Sequence, residues 1–169
     1  TDNNELLMKT ITDLMIVDGK ISMIELLPLF SSVIKKLEKE KALSFYQALE
    51  KAVNNQNSAL QITKVANWEF WLLNLCLYIL DPNSEVDRMS KLFTTILYNL
   101  LKEGNVDAFD EALQYIEIKS LENKFDASLL RKNILKELIK RENIVNGPLT
   151  PFSATIFKEV FKFLFIHMS

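Results

Sequence analysis

Few side chains in this sequence have the chemistry that covalent catalysis needs. The only histidine, His167, lies two residues from the end of the 169-residue sequence. The only cysteine, Cys76, lies in the apolar run Leu75-Cys76-Leu77-Tyr78. Nucleophilic catalysis requires a nucleophile with a base beside it. Cys76 has no basic neighbour in sequence, and a serine–histidine pair through His167 would depend on a terminus prone to fraying. A buried structural thiol is therefore the favoured interpretation of Cys76, and no catalytic residue is assigned.

Three carboxylates, Asp107, Asp110 and Glu111, lie close together in sequence. If these carboxylates converged in a cleft, they could act in acid–base catalysis or bind a magnesium ion. On a helix that begins near Asn105, however, they occupy the first turns, where acids favour the positive end of the helix dipole. Capping is the favoured interpretation, and a carboxylate enzyme stays as a third hypothesis. We predict no metal site and no cofactor.

The balance of charge and thiols narrows the classes of partner. Twenty Lys and Arg against 22 Asp and Glu give a net charge of −2, so binding to nucleic acid is not predicted. A single cysteine excludes an internal disulfide and fits a reducing compartment. No apolar run approaches the ~20 residues of a membrane span. We expect a cytoplasmic protein without an integral membrane segment, peripheral to membranes only through a parent protein.

Basic residues form two clusters, at positions 35–41 and 131–141, that are interleaved with glutamates. Such patterns are typical of solvated helix faces. A contact with acidic lipid or phosphate along the second cluster is the alternative.

Apolar residues recur with the helical period along nearly the whole chain, and glycine and proline number only three and four. The sequence predicts an all-α fold without strands. The first helix is assigned one buried stripe: Leu6, Leu7, Ile11, Leu14 and Met15. Asp18-Gly19 closes it, and Ser22 with Glu25 resembles a capping box, unless Pro28 occupies the first turn of the next helix.

Helix pairs recur at roughly forty-residue intervals, as in armadillo and HEAT repeats. The favoured architecture is a set of antiparallel pairs stacked as an α-solenoid segment, with a closed helical bundle as the alternative. Residues 1–169 are expected to form a single all-helical domain, a fragment of a longer chain. A final helix over 153–168 carries a candidate interaction surface: Phe157, Phe161, Phe163 and Phe165.

The stretch 67–75, Asn-Trp-Glu-Phe-Trp-Leu-Leu-Asn-Leu, resembles a W-x-x-W-L-L-x-L phrase. That phrase belongs to the helical region preceding the PH-like and BEACH domains of the BEACH protein family. The matching positions are Trp68, Trp71, Leu72, Leu73 and Leu75, followed in the next helix by Ile96 and Leu97. The resemblance covers about residues 43–118. It departs from the family at 103–109, which keeps one glycine and an aromatic residue but has no tryptophan.

The resemblance implies a non-catalytic scaffold segment in membrane and vesicle traffic. Its expected partners are other proteins or neighbouring repeats of the parent chain. A stand-alone domain of TerB-like type is an alternative, because residues 11–22 with Glu25 resemble the x-A-D-G-x-I-x-x-x-E phrase of those domains. An uncharacterised helical-bundle interaction protein is the other.

The phenylalanines of the final helix lead to a prediction about weak self-association. Phe163 and Phe165 lie about 200° apart around a helix, so a single stripe does not hold both. Exposed apolar surface of this kind promotes association. We expect concentration-dependent dimers in sedimentation velocity, relieved by Phe163→Ser combined with Phe165→Ser. A wild-type chain that stays monomeric at every concentration would contradict this and favour the closed bundle.

Overall fold

A computed structural model describes residues 2–122, 127–142 and 153–159. The all-α expectation is confirmed at the level of class: the described chain is mostly helical, apart from one small sheet. Its contacts divide it into two compact units, Thr1–Asp81 and Pro82–Ser169. The elements of the first unit are α1 (Asp2–Met15), β1 (Ile16–Val17), β2 (Lys20–Ile21), α2 (Leu27–Val33), α3 (Lys39–Ala52), α4 (Gln56–Ile62) and α5 (Trp68–Ile79). Those of the second are α6 (Val86–Lys102), α7 (Val106–Glu122) and α8 (Ala127–Glu142); residues 153–159 are also helical.

The buried face of α1 differs from the predicted stripe. The buried residues are Met8, Ile11 and Met15. The exposed apolar residues are Leu6, Leu7 and Leu14. Both sets follow helical spacing, so periodicity identifies the helix but does not decide which apolar face packs. The prediction that Leu6, Leu7 and Leu14 are core residues is therefore wrong.

A two-stranded antiparallel hairpin follows α1, where no strand was predicted. Ile16 pairs with Ile21 and Val17 with Lys20. Asp18 and Gly19 form the turn with φ angles of +52° and +73°, the positive values that suit a two-residue hairpin. Gly19 adopts this conformation without a Cβ penalty, and Asp tolerates it better than most residues. Strands of two residues are too short to show alternation in a sequence.

The structure corrects the predicted start of the second helix. The backbone N–H of Ser22 donates to the Met15 carbonyl at 2.7 Å, so Ser22 completes the hairpin instead of capping a helix. A 3₁₀ turn over Ile24–Leu26 follows, without a side-chain cap. Pro28 lies in the first turn of α2, which was the other predicted arrangement and needs no proline N–H.

The run Asn-Asn-Gln-Asn-Ser at 54–58 is typical of a loop in sequence, but in the structure a helix already begins within it. The Asn55 side chain accepts a hydrogen bond from the Ser58 N–H at 3.0 Å and starts α4 at Gln56. Asn67, a residue type that commonly caps helices, immediately precedes α5, but it has a left-handed backbone and its side chain makes no capping hydrogen bond. Asparagine is common in loops and also at helix starts, where its side chain accepts hydrogen bonds from free N–H groups. Composition alone therefore does not show where the loop ends and α4 begins.

Helix α5 forms the centre of the first unit and packs against both α2 and α3. The Ser31 hydroxyl donates to the Trp71 carbonyl at 3.4 Å. The Tyr78 hydroxyl donates to the carbonyl of Lys35 at 3.4 Å, in the 3₁₀ turn that continues α2. The first bond joins residues 40 positions apart and the second joins residues 43 positions apart. The contact therefore advances in the same direction along both segments. The segment 27–36 therefore runs parallel to α5.

The second unit contains a comparable parallel pair, because α6 packs more extensively against α8 than α7 packs against either. The Asn133 amide donates to the Asp87 carboxylate at 2.9 Å, and Arg141 Nη2 donates to Thr95 Oγ1 at 2.9 Å. Each bond spans 46 residues, so the register is constant along the pair. Helices α6 and α8 are parallel.

A buried ion pair links α8 to the helical residues 153–159. Arg131 Nη2 lies 3.6 Å from Glu159 Oε2, and the two side chains are only 5 % and 3 % exposed. The prediction that the basic cluster at 131–141 is a solvated face is thus wrong for Arg131, although Lys132, Lys136 and Lys140 are exposed. Removing one member of such a pair leaves an uncompensated buried charge, which makes this contact sensitive to mutation.

The unequal burial of the two tryptophans leads to a stability prediction. Trp68 is 4 % exposed, whereas Trp71 is half-buried. Trp68→Ala is expected to lower the free energy of unfolding by about 3–5 kcal/mol. Trp71→Ala is expected to lower it by about 2 kcal/mol, because the half-buried Trp71 contributes less apolar surface to the core. Urea unfolding followed by circular dichroism measures both. Equal losses would contradict the ranking.

Candidate functional site

An apolar groove in the first unit lies between α1 and α3. Its volume is about 500 Å³. Met8 and Phe45, each 2 % exposed, belong to its lining, and so do the half-buried Leu37 and Ala48. Leu6, 66 % exposed, also lines it. A cavity of this size with mostly apolar walls is typical of ligand and peptide sites.

Charged side chains flank this groove. Glu5, Lys9 and Asp13 follow one another along α1 at intervals of four residues, and Lys41 of α3 also lines the groove. Lys41 Nζ lies 3.1 Å from Glu5 Oε1, and both side chains are about half exposed. A solvated pair of this kind contributes only about 0–1 kcal/mol and is easily exchanged for another partner. The site therefore offers apolar contact bordered by charges of both signs.

The residues of the tryptophan motif are mainly buried. Trp68, Leu72, Leu73 and Leu75 lie in the core of the first unit, and Ile96 and Leu97 in that of the second. The half-buried Trp71 ring packs edge-on against Phe70 with centroids 4.8 Å apart. These positions support packing and, Trp71 and Phe70 aside, present no recognition surface.

The C-terminal candidates are described only in part. Phe157 is half-buried within the helical residues 153–159. Phe161, Phe163 and Phe165 lie outside the described residues, as does His167.

Cys76 is buried, as its apolar neighbours indicate. Burial raises the pKa of its thiol from 9.0 to about 12, and a contact of 3.9 Å with the Tyr46 hydroxyl opposes this only in part. The thiolate is the reactive form of cysteine, so the shift keeps Cys76 in its unreactive state at neutral pH.

The acidic cluster lies at the start of α7, as predicted. The Asn105 side chain accepts a hydrogen bond from the Ala108 N–H at 3.3 Å and caps this helix. Asp107 is in the first turn, where the helix dipole favours it. Asp110 lies further along, and its Oδ1 is buried without a hydrogen-bond partner among the described residues, so capping does not account for it. Within the described residues no three His, Cys, Asp or Glu side chains are grouped as metal ligands.

Sequence reasoning missed the groove because it placed Leu6 in the core. The sequence does contain a signal, because α1 carries apolar residues on more than one face and packing against the core can bury only one face. None of the described helices is long and apolar enough to cross a membrane.

The shifted pKa of Cys76 leads to a prediction about pH. Above pH 9.0 the thiol ionises in the unfolded chain but not in the folded one, so stability falls with rising pH until about pH 12. Cys76→Ala is expected to remove this part of the pH dependence, measured by urea unfolding at several pH values. At pH 8 the native thiol is expected to react with a disulfide reagent far more slowly than the denatured chain. Equal rates would contradict the burial.

Comparison with known proteins adds no relative: no family model, no curated protein and no solved structure matches the chain. The resemblance to BEACH proteins therefore depends on the residues of the tryptophan motif and its flanks.

Proposed function

We propose that this chain is a non-catalytic α-solenoid segment that acts as a scaffold through protein–protein contacts. The observation that carries the proposal is the parallel helix pair within each unit. Segments 27–36 and 68–79 are parallel at a separation of 40 to 43 residues, and α6 and α8 at 46. Equivalent helices of successive repeats have this relation in α-solenoids, and HEAT and armadillo repeats are about 40–47 residues long.

The surface of α1 also supports a role in binding proteins. Leu7 and Leu14 lie on one side of this helix and are 50 % and 41 % exposed, and the neighbouring hairpin adds Val17 at 46 %. Exposed apolar side chains on one side of a helix are a common feature of interaction surfaces when they form a contiguous patch. Together with the groove on the other side of Leu6, they give α1 two faces available for partners.

The parent that the tryptophan motif suggests is a BEACH-type protein of membrane and vesicle traffic. In that setting the segment would be cytoplasmic, reaching membranes through the parent chain. Solenoids act by shape, so the segment spaces its neighbouring domains and presents helix faces to other proteins.

Two measurements test this proposal. The coding sequence downstream of Ser169 is expected to encode a PH-like and a BEACH domain; any other continuation would contradict the family assignment. Proximity biotinylation in the source cells, with a ligase fused to the parent protein, is expected to label vesicle tethering and fusion proteins. A matched fusion lacking residues 1–169 should lose part of that labelling, and identical labelling would contradict a scaffold role for this segment.

A further inference from the structure

We propose that the groove between α1 and α3 binds a two-turn amphipathic helix of a partner protein, with a basic–acidic–basic series along one flank. This inference rests on the proposed role in protein–protein contacts and identifies the class of partner. It follows from the dimensions of the groove, its apolar walls and the order of charges along α1.

The dimensions and the apolar walls of the groove suit a short helix. From Glu5 to Asp13, α1 rises about 12 Å, which equals about two helical turns of a ligand lying alongside. Leu6, exposed at 66 %, provides apolar surface at the groove, and the half-buried Leu37 and Ala48 provide more. Grooves between helices typically receive such ligands through apolar anchors at positions i, i+3 or i+4, and i+7.

The charges of α1 select the flank of the ligand. Glu5, Lys9 and Asp13 alternate in sign at four-residue intervals. A ligand helix with Lys, Glu and Lys at the same interval places an opposite charge beside each of them. Because both series are symmetric, they match in either direction of the ligand helix. The half-exposed Lys41 lets Glu5 exchange partners at little cost.

The same order of charges argues against two other occupants. If the 5–13 segment of a second copy overlapped this one fully in antiparallel orientation, Glu5 would face Asp13 and Lys9 would face Lys9; full overlap of a parallel pair would oppose each charge with itself. An anionic lipid surface would meet two carboxylates and two ammonium groups around the groove, without net attraction. A partner with the complementary series meets neither objection.

Fluorescence anisotropy with two labelled alanine-based peptides tests the proposal on the full chain. Both peptides carry leucines at i, i+4 and i+7; one has Lys-Glu-Lys on the flank and the other Glu-Lys-Glu. The first is expected to bind at least about tenfold more tightly, and Lys9→Glu should favour a Lys-Lys-Lys variant of the first peptide. Lys9→Glu changes a charge and leaves the apolar walls of the groove unaltered, so a change in peptide preference reports on the charges alone.

Adjacent residues of α1 provide the matched control. Leu6 and Leu7 are both exposed, but only Leu6 lines the groove. Leu6→Gln is expected to weaken binding of the Lys-Glu-Lys peptide about tenfold, and Leu7→Gln less than about twofold. Glutamine has nearly the helix propensity of leucine, so neither change should unfold α1.

Several results would overturn the proposal. These are equal affinity of the two peptides, equal loss from the two glutamine variants, or no saturable binding at about 1 mM peptide. Leu6-dependent binding of dodecanoate without saturable peptide binding would assign the groove to small amphiphiles, and Leu6-dependent binding to phosphatidylserine vesicles would assign it to a membrane. Peptide binding without a downstream BEACH domain would keep the groove and reject the parent. A downstream BEACH domain without peptide binding would keep the parent and reject the groove, and the scaffold role would then belong to other faces of the chain.

Discussion

Helix α5 imposes the main constraint on the first unit, because it is apolar on nearly every side. A helix of this kind is stable when it is covered from more than one direction, and only Phe70 and Asn74 of α5 are exposed. Helices α2 and α3 both pack against it, and Tyr46 of α3 contacts Cys76 in its centre. Phe45 of α3 is also buried, and its ring packs on Phe30 of α2 with centroids 4.1 Å apart. Helix α1 packs instead on α2 and the hairpin, and a groove between α1 and α3 remains open.

The hydrophobic period was sufficient to predict helices but not which of their faces are buried. Helix α1 shows this limit, since the stripe with Met8 and the stripe with Leu7 are equally apolar and only the former packs. Local signals gave mixed results: Asp18-Gly19 was recognised as a turn, yet the hairpin around it escaped notice because each strand has two residues. Tertiary contacts decided both outcomes, and a single sequence does not contain them directly.

Charged residues were harder to place than apolar ones. Arg131 belongs to a basic cluster whose sequence pattern is typical of a solvated helix face. Its burial depends on the ion pair with Glu159, 28 positions later in the sequence. Glu5, Lys9 and Asp13 also look like ordinary surface residues until α3 is placed opposite α1. The chemistry of Cys76 was easier, because its immediate neighbours are apolar and burial alone sets the direction of its pKa shift. Sequence reasoning thus succeeded where the decisive neighbours are adjacent in the chain.

The burial of the groove residues bears on the kind of contact that this site provides. Met8 and Phe45 are already almost completely buried, so a ligand helix gains most of its apolar contact from Leu6 and the half-buried Leu37 and Ala48. Affinity from so small an area is modest after the cost of ordering the ligand. The alternating charges contribute mainly to the choice of partner and to the rate of encounter. Weak, selective contacts suit a scaffold, since several of them on one extended chain bind cooperatively through their high effective concentration.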